Sequence, residues 1–202
     1  GSAVRNEVAD PDTMAWLSRA DRRPLVVVSL GTFLSARTDV LARITAALQR
    51  VDVRVAMAIG SSDRAELGEI PSDWLVRPSL PQVTLLEQAA VLVTHGGNNS
   101  VTEALTFGVP MLVLPFSTDQ FDGAAAVERS LAGIALDPNR SSRALIAGGV
   151  RGLLRNPPPQ VHQLGEHLRA NPGPEVAFNA MSTLPDLRNL APDPRVGALV
   201  SA

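Results

Sequence analysis

Apolar and polar positions along this chain fall into blocks of two kinds. Short continuous apolar runs, at Leu25–Ser29, Val53–Ile59, Trp74–Val76, Val91–Thr94, Met111–Leu114 and Ile134–Leu136, suit strands buried on both faces. Between them, apolar residues recur at helical spacing. Thr38–Arg50 carries Val40, Leu41, Ile44, Ala47 and Leu48 along one side, and Gln82–Ala90, Ser100–Phe107 and Asp119–Ser130 read as helices too. Strands alternating with helices predict βαβ units and an α/β fold, a Rossmann-like doubly wound parallel sheet. A short helix over Asp10–Ala20, capped by Asp10 or Asp12, turns Met14, Trp16 and Leu17 toward a core. After residue 140 the pattern is helical only, over Ser142–Asn156, Pro159–Ala170 and Gly173–Leu184. The tail from Pro185 to Ala202 has three prolines and little periodicity, and is expected to be loosely ordered.

Composition narrows the classes. A length of 202 residues with 45% hydrophobic content fits one globular domain with a sizeable core. With five Phe, two Trp and no Tyr, that core is aliphatic. The 18 basic residues are all Arg, set against 20 acids for a net charge of −2, and only Arg22 and Arg23 stand together. Such scatter matches neither a nucleic-acid footprint nor a polybasic membrane patch. With no Cys, disulfides, thiolate nucleophiles and Cys-ligated metals are excluded. The apolar runs are too short to span a bilayer. The opening Gly1-Ser2-Ala3, without Met, reads as a cloning scar on an excised piece, and a cytoplasmic protein is the expectation.

In an open parallel sheet, ligands bind beyond the carboxyl ends of the strands, so the loops that follow strands hold the candidate chemistry. His95-Gly96-Gly97-Asn98-Asn99-Ser100 stands between a strand and a helix. Its glycines let backbone approach a ligand closely, and the helix start aims free N–H groups and a positive dipole end at the same place. In physical terms this is a phosphate cradle, distinct from a Walker loop and from G-x-G-x-x-G. Ser100-Val-Thr-Glu103 also has the spacing of a capping box, which leaves a purely structural reading open. Pro115-Phe-Ser-Thr-Asp119-Gln120 mixes donors and acceptors suited to sugar hydroxyls, while Ser117 and Gln120 have S-x-x-Q capping spacing. Ser29-Leu-Gly31-Thr32 reads as a phosphate-touching loop or as a simple turn. His162 and His167 lie five apart and miss the i,i+4 spacing of a helical zinc pair, so both read as surface residues.

Val76–Glu128, VRPSLPQVTLLEQAAVLVTHGGNNSVTEALTFGVPMLVLPFSTDQFDGAAAVE, resembles the nucleotide-sugar signature of family 1 glycosyltransferases. These include macrolide and antibiotic glycosyltransferases, plant glucosyltransferases and UDP-glucuronosyltransferases. Upstream, MAWLSRADRRPLVVVSLGT is similar to the linker and first strand of their C-terminal domain. The resemblance covers roughly two thirds of the chain and rests on LPQ, HGGNNS-x-x-E and DQ occurring together.

The resemblance implies one half of a GT-B fold, with residues 1–20 as scar and linker, 21–184 as the nucleotide-sugar-binding domain with extra C-terminal helices, and 185–202 as tail. His95, Gly97, Asn99, Ser100 and Thr32 would hold the donor diphosphate. Gln82, Glu103 and Ser79 would lie at the ribose and base, and Asp119 and Gln120 would read the transferred sugar. It also implies inverting, metal-independent transfer from a UDP- or TDP-linked sugar to a small natural-product acceptor, with no cofactor, no metal, and no nucleic-acid or membrane partner. The catalytic base would belong to a missing N-terminal acceptor domain, leaving this chain inactive alone. A non-catalytic donor-binding subunit and a nucleotide-sugar epimerase are the alternatives.

Two positions depart from the family. Ser79 stands where an aromatic usually stacks on the base, a contact worth about 1–3 kcal/mol by analogy with nucleic acids. Gly123 stands where Asn is frequent, and a helical Gly, which costs about 1 kcal/mol against Ala, is expected to loosen a helix contact.

Overall fold

The apolar runs become six strands: β1 (Leu25–Ser29), β2 (Arg54–Ala58), β3 (Leu75–Arg77), β4 (Ala89–Thr94), β5 (Met111–Val113) and β6 (Gly133–Ala135). They form one parallel sheet in the order β3-β2-β1-β4-β5-β6. The described residues also form eight α-helices: α1 (Pro11–Leu17), α2 (Thr38–Leu48), α3 (Gln82–Leu86), α4 (Asn98–Phe107), α5 (Thr118–Arg129), α6 (Arg143–Arg155), α7 (Pro159–Ala170) and α8 (Gly173–Ser182). The computed structural model describes residues 4–5, 7–31 and 37–182. Among these, no helix is long and apolar enough to cross a membrane.

Successive strand side chains point to opposite faces. Val26, Val28, Val55, Met57, Val91, Val93 and Leu112 join the core under α2 and α6. Leu25, Val27, Ala56, Leu92, Met111 and Val113 join the other, beneath Leu85, Ala104, Val127 and Val161 of α3, α4, α5 and α7. Burial on both faces is why the strands read as unbroken apolar runs rather than alternating ones.

Local details differ from the sequence expectation. The helix expected over Gln82–Ala90 ends at Leu86, because Ala89 already pairs with Leu25 in the sheet. Alanine suits either state, and strand pairing decides between them. In α1, Asp10 caps the helix by accepting from the Thr13 N–H at 3.0 Å, and Trp16 and Leu17 are buried as expected. Met14 is exposed, since α1 turns that side to solvent. The tail 185–202 and residues 1–3 lie outside the described residues.

Arg54, at the start of β2, clamps α1 to the sheet. Its guanidinium donates to the Trp16 carbonyl at 2.8 Å and lies 4.5 Å from the Trp16 ring centroid. It is 8% exposed, so these contacts are shielded from water. Arg54→Ala removes a charge-assisted hydrogen bond and a cation–π contact, and is expected to cost about 2 kcal/mol in chemical denaturation.

Candidate functional site

The strand order reverses between β1 and β4, and a crevice opens at that switch point, where doubly wound sheets place ligands. Its volume is about 540 Å³. Most of its lining follows a strand's carboxyl end: Ser29–Gly31 after β1, Ala58 and Gly60 with β2, Pro78–Leu80 after β3, and His95 and Gly97–Ser100 after β4.

The β4–α4 turn forms the floor. Gly96 has φ +89°, a region other residues rarely enter, and a Cβ there would stand 2.8 Å from Val113 Cγ1 and 2.9 Å from the Gln120 carbonyl. Gly97 is the N-cap of α4, and no side chain caps the amides behind it. The first turn of α4 carries no acidic residue. Free amides and the positive dipole end therefore face the crevice, the arrangement that binds anions. The expected capping box of Ser100 with Glu103 does not form: α4 begins at Asn98, which puts both residues inside the helix rather than at its cap.

His95 stands between two backbones. A Cβ on Gly31 would lie 2.8 Å from its Nε2, and one on Gly97 only 2.4 Å from it. The ring thus fills space that only glycines leave open on both sides. Its Nδ1 is 3.4 Å from Thr94 Oγ1. Burial pushes the imidazole below the ordinary histidine range, opposed by a hydrogen bond to the Ser29 backbone and by the Asp119 charge. Burial thus favours the neutral ring.

Gln82, Ser100 and Glu103 form a buried polar cluster beside this turn. Gln82 Nε2 donates to Glu103 Oε2 at 2.7 Å and to Ser100 Oγ at 3.2 Å. Glu103, 1% exposed, also accepts from Arg5 Nε at 2.7 Å. Gln82 and Ser100 line the crevice directly, while Glu103 lies just behind them.

On the opposite side, Gln120 lines the crevice and is also a capping residue. Its Oε1 accepts from the Phe116 N–H at 2.8 Å and the Ser117 N–H at 3.3 Å, so the S-x-x-Q spacing is structural and the residue still reaches the site. Asp119 is exposed and does not line the crevice, its Oδ1 accepting from Ser117 Oγ at 3.2 Å. Gly123 corrects the expectation of a loosened contact. A Cβ there would stand 2.2 Å from the Gly96 carbonyl oxygen, so glycine is what lets α5 close onto the cradle.

The crevice thus gathers His95, Gly97, Asn99, Ser100, Gln82, Ser79 and Gln120. Thr32 lies outside the described residues. His162 and His167 are exposed on α7. Sequence reading missed Arg5, which lines the crevice yet has its partner 98 positions away, and no motif marks it.

The family model described as UDP-glucoronosyl and UDP-glucosyl transferase matches residues 7–162. An uncharacterized UDP-glucosyltransferase of Bacillus subtilis strain 168, YojK, is 29% identical over 164 residues, covering 80% of this chain and 40% of that protein. The 4'-demethylrebeccamycin synthase of Lentzea aerocolonigenes is 34% identical over 149 residues, covering 73% of this chain and 35% of the synthase. Among solved structures, the calicheamicin glycosyltransferase CalG4 superposes with a TM-score of 0.77 at 26% identity, over 95% of this chain and 47% of CalG4. The chain therefore spans less than half the length of each of these proteins.

Proposed function

The chain belongs to the UDP-glucoronosyl and UDP-glucosyl transferase family, and from that premise we propose that it is the donor-binding part of a glycosyltransferase, gripping a nucleoside-diphosphate sugar in the switch-point crevice. The carrying observation is the start of α4: uncapped amides behind Gly97, without an acidic side chain in the first turn, next to the His95 ring. Such a place stabilises the charge that develops on a departing diphosphate. Asn99 and Ser100 would hold the diphosphate with His95 and Gly97; Gln82, Glu103 and Ser79 would lie at the ribose and base, and Asp119 and Gln120 would take the sugar hydroxyls.

In this reading the amides and His95 supply the electrostatic stabilisation that a metal would otherwise give, and the acceptor displaces the diphosphate in one step, with inversion at the anomeric carbon. The acceptor, a small natural product, and the base that deprotonates it would sit on a second domain. Support for that arrangement is the coverage of 47% of CalG4 and the antibiotic-type relatives. Residues 21–184 would then bind donor without transferring sugar.

The test is calorimetric titration of the chain with UDP, TDP, GDP and their sugars. At least one of these is expected to bind and, at a hundredfold excess over its dissociation constant, to stabilise the fold by about 2.7 kcal/mol. No heat with any of them would sink the reading.

A further inference from the structure

The described residues before α1 reach the crevice and are tied down at Arg5, Glu7 and Asp10. Arg77 donates to Asp10 Oδ1 at 2.8 Å, holding the start of α1 near the end of β3. Glu7 Oε2 accepts from the Val83 N–H at 2.7 Å, fixing the strap to the first turn of α3. Arg5 then meets Glu103 side-on, Nε to Oε1 at 2.7 Å and NH2 to Oε2 at 3.3 Å. Arg5 is 56% exposed and lines the crevice, whereas Glu103 is 1% exposed.

This geometry creates an electrostatic problem and answers it. A buried carboxylate beside an anion site repels the anion and needs a partner of its own. Gln82 is neutral and cannot supply the missing charge. Among the described residues that line the crevice, Arg5 is the one with a full positive charge at neutral pH. Two of the five N–H donors of a guanidinium are spent on Glu103, and the fork geometry leaves the others for phosphate. We propose that Arg5 is a nucleotide-binding residue that neutralises Glu103 on one edge and attracts the ligand's diphosphate with the other. The inference rests on the donor-site reading above.

The opposite role, a plug that the ligand must expel, predicts the opposite sign. The experiment is calorimetry on the chain, Arg5→Ala and Arg5→Lys, with UDP and TDP against uridine and thymidine. Arg5→Ala is expected to weaken the diphosphates roughly tenfold or more while the nucleosides change less than about threefold. Arg5→Lys, which keeps the charge, is expected to recover most of the loss, and the salt dependence is expected to flatten in Arg5→Ala alone. Unchanged or tighter diphosphate binding by Arg5→Ala would overturn the proposal, as would equal losses for nucleosides and diphosphates. If the parent chain itself binds no nucleotide, the donor-site reading fails and takes this inference with it.

Discussion

Gly123→Ala is expected to lower donor affinity by roughly tenfold or more and to cost about 2 kcal/mol of stability, although alanine is the better helix former by about 1 kcal/mol. The new Cβ would stand 2.2 Å from the Gly96 carbonyl oxygen, far inside contact distance, and the atom it meets is backbone rather than a side-chain tip that could swing aside. Neither partner yields freely. Gly96 is held at φ +89° against Val113 and the Gln120 carbonyl, while α5 is anchored by buried Ala124 and Val127. Relief therefore displaces the turn that carries His95 and Gly97. Gly148→Ala provides the contrast, because nothing lies within 4 Å of its Cβ and the site is exposed on α6. That variant is expected to gain about 0.5–1 kcal/mol and to leave affinity unchanged. Denaturation and nucleotide titration of both variants check the pair. Donor affinity preserved in Gly123→Ala would refute the contact's role.

The contrast also shows what a sequence carries. The six strands were legible because a parallel sheet buries both faces, which writes each strand as an apolar run. The β4–α4 turn was legible because close backbone approach and a helix start confine the choice of residues to glycines and short polar side chains. The rest depends on contacts between distant segments. Gly123 reads as a helix weakness until α5 is placed against Gly96. Glu103 reads as half of a capping box until the helix start moves to Asn98 and Arg5 arrives from the other end of the chain. Met14 and the end of α3 turned on packing and strand pairing that local propensity does not encode. Gln120 was legible as a cap, which it is, and it also reaches the crevice.

His95→Ala is expected to weaken donor binding roughly tenfold to a hundredfold and to remove its pH dependence. A hydrogen bond from His95 to a charged diphosphate would contribute about 1.5–3 kcal/mol. The ring also sets the distance between the Gly31 and Gly97 backbones, so its loss loosens both walls. Burial holds the free imidazole below 6.5, its ordinary value. An arriving diphosphate favours the imidazolium and raises the bound value above the free one. Affinity should therefore be greatest at low pH and fall as pH rises through the bound value, with proton uptake on binding between the two. The apo fold behaves in the opposite sense: the unfolded chain binds the proton more readily, so stability rises with pH until the ordinary histidine value is passed. A nucleotide sugar is the ligand of choice, since both its phosphates keep a constant charge through this range. Calorimetry in two buffers of different ionisation heat counts the protons taken up. His95→Gln, which keeps a donor but does not titrate, should retain part of the affinity with no uptake. Uptake that persists in both variants would move the titrating group elsewhere and leave His95 a packing residue.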